Sequence, residues 1–462
     1  MAALEEVLAD VARQIATKGL AGDGATFERR VAEAARADLR GVMAEVLGKA
    51  GRVTAFGPPT QYRVKTVVTL FGHVSFPCAY YAVDYARMPR QMRRKLERDK
   101  ARGRKRLEKN TNLPRKGGAT SAYPALEALG VRDTFTPSFA DVFQRLGVVT
   151  GSFAEGAAML KLTLGVELST STFRRRMLLA GARAVEAQES PRRREIKPRF
   201  SARVLAATTP TVPTMYIMAD GMGVPCVKKD TKDSKGKGAD GIAGTREVKV
   251  GVVGTYRRLD RKGRPFRDPG GESHIVSMKS ASEFGILLRR LADSLGYGSG
   301  RLRIQIIGDG AEWIAAIVRN AFPGALVIFT NDFYHACEYL YSFVVAAEPG
   351  SDNITSAYRK VRAIFKRYGA ATLIRHLKRK YAHLDSEHQA WKEIAYIEKR
   401  VDFMKYNEYL RDGLYIGSGP VEAACRTDVA RRCKQAGMHW RFANAAAICA
   451  LTARFRSNLP AV

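Results

Sequence analysis

At 462 residues the chain is long enough for about two to four domains, and its hydrophobic fraction of 46% and charged fraction of 26% are those of an ordered globular protein. Lys and Arg outnumber Asp and Glu by 77 to 45, a formal net charge of +32, which calls for a polyanion. Nucleic acid stands ahead of a membrane surface as that partner, because no long amphipathic basic helix or lipidation signal accompanies the charge. Cysteines 78, 226, 337, 425, 433 and 449 form no CxxC pair and no Cys/His zinc spacing. Glu5, Glu6 and Asp10 interrupt the N-terminal apolar pattern, which excludes a signal peptide, and no apolar run approaches a membrane span. The expected protein is soluble, contacts no membrane and is cytoplasmic or nucleoid-associated.

Leu4, Val7, Leu8, Val11 and Ile15 fall at helical spacing, and a second helical pattern carries Phe27, Val31, Val42 and Val46, so residues 1–55 read as a helical arm. Residues 56–120 read as a β-hairpin, TVVTLFGHVSFPCAYY, broken at Phe71-Gly72, followed by a basic segment. Within it, 87–116 holds 14 Lys/Arg against three acids; this is either a solvated linker or a phosphate-contacting strip, with Arg104, Lys105 and Arg106 at its densest point. Residues 121–200 read as a helical DNA-binding domain with a helix-turn-helix outline over 152–181. A first helix ends near Leu164, Gly165 turns the chain, and Arg174, Arg175 and Arg176 sit early in a second helix, where a recognition helix carries its contacts. An ordinary αα-hairpin has the same outline.

Beyond Val212 the periodicity changes to strands alternating with helices. Strand patterns at 215–225, 246–259, 274–279, 301–309 and 325–331 bracket helical patterns at SEFGILLRRLADSL and AEWIAAIVRNAF. The order β-β-β-α-β-α-β is that of the ribonuclease H-like fold: an α/β core with a mixed five-stranded sheet flanked by helices. Its parts would be residues 212–333 and 413–462, separated by an all-α insertion over 334–412 with Lys/Arg-rich faces.

Two strands end their apolar run in Asp-Gly, at Asp220 and at Asp309. One such pair reads as a simple turn. Two on inner strands of one sheet read differently, since the first and fourth strands of a ribonuclease H-like sheet are neighbours and the two anions would repel unless a cation intervened. Mg²⁺ suits such hard oxygen ligands. Glu422, two residues after Pro420 at the start of a later helix, is the candidate third carboxylate; a favourable helix-dipole position and pairing with Arg426 are the competing explanation.

MYIMADGMGVP, TREVKVG, IIGDGAEWI, DFYHACEYL, IGSGPVEAACR and KQAGMHW, in this order, resemble the bacterial insertion-sequence DDE transposases of the Kra type, which are similar to Mutator-like transposases; the resemblance covers roughly 60–460. It implies that Asp220, Asp309 and Glu422 are the catalytic acids and that Asp332 and His335 match a conserved Asp/Cys-x-x-His motif. It further implies two Mg²⁺ ions, replaceable by Mn²⁺, one activating the attacking oxygen and one stabilising the leaving oxygen. The activity implied is cleavage of the element's ends and their joining to target DNA, with double-stranded DNA as partner and a homodimer or higher oligomer when bound. Lys434, with His439 and Arg441, would face DNA. Relatives often carry Cys pairs after the hairpin, where this chain keeps only Cys78, so a metal there is not expected. A structure-specific ribonuclease H-type nuclease would share the acids, and a catalytically inactive, transposase-derived DNA-binding protein would share the basic surface.

Overall fold

The structure is a computed structural model that describes residues 5–10, 13, 24–52, 58–82, 121–190, 214–232, 244–255, 258–259, 265–266, 271–296, 303–324 and 327–462. The basic segment 87–116, with Arg104, Lys105 and Arg106, lies outside the described residues, as does the stretch 191–213. The chain divides into two compact units, one of residues 1–146 and 156–169, the other of residues 147–155 and 170–462.

In the first unit, helix α1 (Gly24–Gly51) lies on the hairpin of β1 (Gln61–Thr69) and β2 (Gly72–Ala82). The hairpin register runs unbroken from Gln61↔Tyr80 to Thr69↔Gly72. Gly72 closes the turn at φ +114°, a conformation a β-branched or bulky residue resists. Leu47, Val67, Val74, Phe76 and Cys78 form one core, with Met43 and Ala44 packed against it, so arm and hairpin share a single hydrophobic interior. The helical face therefore differs from the expected one: Val42 and Val46 are 54% and 55% exposed, while Ala34 and Leu47 are buried. Two apolar stripes overlap on this helix, and the hairpin takes the one that carries Met43, Ala44 and Leu47. Cys78 is buried in apolar surroundings, which push its thiol up, and it behaves there as a small hydrophobe.

Helices α2 (Pro137–Val149) and α3 (Phe153–Leu164) follow, then Gly165 at φ +64° and α4 (Thr170–Glu189). The boundary between units runs through this pair: Gly156–Ser169 belongs to the first and α4 to the second. The described part of the expected 121–200 domain, residues 121–190, is thus divided between the two units. The physical reason lies in α4, which buries Phe173, Met177, Ala180, Gly181 and Ala184. Gly181 sits so close to the C-terminal helix that a methyl there would meet the Ala447 carbonyl oxygen at 2.5 Å.

The second unit is built on a five-stranded mixed sheet. Its strands are β3 (Thr214–Pro225), β4 (Thr245–Thr255), β5 (Glu272–Ser277), β6 (Arg303–Gly308) and β7 (Val327–Asn331), in the spatial order β7-β6-β3-β4-β5. β7, β6 and β3 are mutually parallel; β4 runs antiparallel to β3, and β5 antiparallel to β4. Side chains alternate between faces with period two. Met215, Ile217, Ala219, Ile304 and Ile306 point to one face and pack on α5 (Ala281–Ser294) and α6 (Glu312–Ala321). α5 starts in a capping box, Ser280 bonding to the Glu283 backbone and Glu283 reaching back, which satisfies two of its orphan amides.

After β7 the chain is helical: α7 (Phe333–Ala347), α8 (Ile354–Lys380), α9 (Gln389–Glu398) and α10 (Tyr406–Arg411). α8 is broken at Gly369, whose φ of +77° is outside helical geometry. The chain then returns to the sheet as α11 (Gly419–Ala424), runs on through a π-helical turn over Cys425–Ala430, and ends in α12 (Phe442–Arg456), which is buried on most sides. All six cysteines are buried free thiols. Among the described residues no helix is long and apolar enough to cross a membrane.

Candidate active site

The parity that sends Ile217 and Ile306 toward α5 and α6 sends Tyr216, Met218 and Asp220, and Gln305, Ile307 and Asp309, to the opposite face. The ladder between β3 and β6 pairs Thr214 with Arg303 and ends at Met218↔Ile307. Continued by two residues in each strand, the same register sets Asp220 beside Asp309. Asp-Gly at 220–221 is not a turn: Asp220 still pairs with Val250, and the β3–β4 ladder continues to Pro225↔Thr245. β6 ends while β3 runs on, and the two half-buried carboxylates stand at that step. Burial raises the Asp220 carboxyl above its ordinary range, and the Asp309 charge adds to the rise. The Gly221 amide, the Cys425 thiol and His335 oppose it.

Asp309 is held by the chain around it. Its Oδ1 accepts from the Ala311 amide at 2.9 Å, and its carbonyl oxygen accepts from the Tyr396 hydroxyl. Gly310 turns the backbone at φ +80°, with its carbonyl accepting from Arg400 Nε and Nη2 at 3.2 and 3.0 Å. Tyr396 and Arg400 come from α9 and its end, so the helical insertion braces the loop that carries the second acid. Tyr396 stacks on Tyr339 at 4.1 Å between centroids, and His335 meets both rings edge-on.

The third acid arrives by way of buried clamps. Gln305, fully buried, accepts from the Tyr415 amide and donates to the Tyr415 carbonyl, fixing the returning chain against β6. Asp332, also fully buried, caps α7 by accepting from the His335 amide at 2.7 Å, and its other oxygen accepts from the Ser418 amide. Ser418 in turn donates its hydroxyl to Glu422 Oε1 at 2.8 Å. Val421 and Ala424 are buried under α11 while Glu422 is exposed. One turn further on, Cys425 donates its thiol to Asp220 Oδ2 at 3.3 Å. The π-helical turn then brings the fully buried Asp428 to His274 Nδ1 on β5 at 2.7 Å. Extra-wide turns of this kind recur beside functional sites.

Asp220, Asp309 and His335 thus gather at one end of the sheet, with Glu422 one turn from the Asp220–Cys425 contact. His335 is about one-third exposed and its Nδ1 lies 3.1 Å from Glu338 Oε2. Among the described residues, no three His, Cys, Asp or Glu side chains stand close enough to hold one metal ion as placed. Both oxygens of Asp220 and one each of Asp309 and Glu422 are engaged by Gly221, Cys425, Ala311 and Ser418. Three carboxylates are the donor chemistry a hard divalent cation takes, and rotating them from these local bonds is what a shared ion would require.

The cationic candidates lie elsewhere. Arg174 and Arg175 are exposed on α4 and Arg176 is half-buried beside the face that buries Phe173 and Met177. Lys434 and His439 are exposed, whereas Arg441 pairs with Asp230 at 3.0 Å. Ser418, Cys425, Tyr396 and Arg400 escaped the sequence reading. Only Ser418 left a local signal, four residues before Glu422.

No protein-family model matches this chain, and no curated protein matches it in sequence. Among solved structures it is similar to a Drosophila P element transposase strand transfer complex, at 10% identity over 72% of this chain and 82% of that chain, with a TM-score of 0.26. A likeness that loose says nothing about the site.

Proposed function

We propose that this protein is a DNA transposase of the insertion-sequence kind, with a ribonuclease H-like core in which Asp220, Asp309 and Glu422 are the acids of a DDE site. The observation that supports this reading most is the β3–β6 register, whose last pair, Met218↔Ile307, lies two residues before Asp220 and Asp309 in parallel strands, together with the Asp309 charge felt at Asp220. Proteins do not assemble such a pair for stability, since like charges in a half-buried site repel. The net charge of +32 and the order of the quoted motifs support DNA as the substrate.

Asp220, Asp309 and Glu422 would hold Mg²⁺ or Mn²⁺, which when bound supplies activation of the attacking oxygen and stabilisation of the leaving one. The chain's own residues do the rest. Tyr396 and Arg400 keep the Asp309 loop fixed, Asp332 and Ser418 orient Glu422, and Cys425 orients Asp220. His335, next to the acids, is placed to exchange a proton with a leaving or attacking oxygen. Exposed Arg174, Arg175 and Lys434 would contact phosphates or bases of the element's ends, and joining two ends calls for at least two copies of the chain.

The test uses pre-cut duplexes with the terminal sequences that flank the gene, a supercoiled target plasmid and Mg²⁺ or Mn²⁺. Joined products are expected from the full chain and none from Asp309→Ala. A nicked plasmid with no joining would favour the nuclease reading, and joining by the Asp309→Ala protein would remove Asp309 from the site.

A further inference from the structure

A cleft of about 430 Å³ opens between α7 and α8, lined by Tyr334, Cys337, Glu338, Tyr341, Tyr358 and Arg362. Tyr334 and Tyr341 are 55% and 47% exposed, so their rings are not core residues that happen to border a gap. Tyr341 meets Tyr358 edge-on at 5.3 Å between centroids, and the Arg362 guanidinium lies over the Phe333 and Tyr334 rings at 5.3 and 6.0 Å. The floor is the buried Cys337 thiol, pushed up to about 11 by its burial and therefore neutral. The cleft adjoins the candidate active site: the Tyr334 ring packs on Gly417, whose neighbour Ser418 holds Glu422.

We infer that this cleft holds an unpaired nucleobase of a DNA strand, stacked among Tyr334, Tyr341 and Tyr358, with an adjoining phosphate on Arg362. The inference rests on the reading of the protein as one that brings DNA to Asp220, Asp309 and Glu422. Aromatic faces accept any base, because every base has a π-face. The Glu338 carboxylate, three-quarters exposed at the rim, repels phosphate and leaves that side of the cleft to the base. Arg359, Lys360, Lys366 and Arg367 are exposed along the same helix as Arg362, a strip of cations on which the strand's phosphates can run. A fully paired duplex keeps its bases stacked and cannot fill the cleft; an extrahelical base can.

The experiment measures binding of the full chain to three duplexes of one sequence at one salt concentration: fully paired, with one bulged 2-aminopurine, and with an abasic residue at the bulge. The bulged base is expected to bind about tenfold tighter than the abasic duplex, the effect of one stacked base, and its emission is expected to be quenched on binding. Tyr341→Ala should abolish that preference and leave affinity for the paired duplex unchanged, while Tyr341→Phe keeps both. Equal affinity for the bulged and abasic duplexes, an unquenched base, or full preference in Tyr341→Ala would each overturn the inference alone. Binding to none of the duplexes would overturn it together with the reading on which it rests. A base preference in a protein that neither cuts nor joins DNA would leave the cleft assigned and the acids' role refuted.

Discussion

The thiol of Cys425 donates a hydrogen bond to Oδ2 of Asp220 across 3.3 Å, joining residues 205 positions apart. The bond ties the helix that carries Glu422 to the strand that carries Asp220, and it opposes the upward shift that burial imposes on the Asp220 carboxyl.

Cys425→Val should therefore change the pH dependence of cleavage more than stability. The replacement keeps the buried volume close to the original, for a cost under about 1.5 kcal/mol, but removes a donor that favours the carboxylate. The Asp220 carboxyl then rises further. Since the ionised form is the one that binds a cation, the acid limb of the pH–rate profile should move to higher pH. Cys425→Ser, which retains a donor, should move it less. A profile unchanged in Cys425→Val would show that the thiol is only packing.

Asp332→Ala should destabilise the second unit. The fully buried carboxylate accepts from the amides of His335 and Ser418, and each buried donor left without a partner costs about 1–3 kcal/mol. A loss of about 2–4 kcal/mol in urea denaturation is expected. Asn offers one acceptor to two donors and should rescue only part. Because Ser418 orients Glu422, activity should fall further than the lost stability explains; activity proportional to folded protein would count against that coupling.

The strands of the second unit were legible in the sequence because buried β-branched runs such as RIQIIG and MYIMA have few other uses, and the two acids were legible because each terminates such a run. Parity and register then follow from period two. The supporting residues were not legible. Tyr396 meets the Asp309 carbonyl from 87 positions away, and Cys425 comes from farther still; no local periodicity records either contact. The exposed stripe of α1 misled for a related reason, since Val42 and Val46 are as apolar as the residues that actually face the hairpin. The assignment of 121–200 to one domain followed a helix-turn-helix spacing that is equally satisfied by two helices belonging to different units.

Divalent cations should raise the melting temperature of the full chain relative to EDTA. A ligand bound only by the folded state stabilises by RT ln(1 + [L]/Kd), on the order of 1 kcal/mol for a weak site at millimolar ion. The metal-free comparison carries its own sign. Because the folded Asp220 carboxyl titrates above its unfolded value, the group subtracts stability as pH rises from about 4 through its folded pKa. Asp220→Asn should thus melt above the wild type at neutral pH in EDTA, with the advantage vanishing below about pH 4. Asp220→Asn/Asp309→Asn should show no response to Mg²⁺ or Mn²⁺, and a shift that persists there would place the ions elsewhere.

Gly310→Ala should damage the site more than its backbone strain alone predicts. Gly310 sits at φ +80°, and a Cβ there would meet Asn331 Nδ2 at 2.5 Å and Arg400 Nε at 2.7 Å. The left-handed conformation costs a non-glycine residue about 1–2 kcal/mol. The crowding adds to it, because Arg400 is held by the Gly310 carbonyl and Asn331 by Tyr396, so neither can withdraw without releasing the Asp309 loop. Gly350→Ala supplies the control: its φ of +75° is nearly the same, but nothing lies within 4 Å of the added methyl. Both variants should lose similar stability from the backbone, while only Gly310→Ala should lose DNA joining and the divalent-cation shift in melting temperature. If both variants keep the cation shift, the brace formed by Tyr396, Arg400 and Asn331 does not position Asp309, and the helical insertion has no direct hold on the second acid.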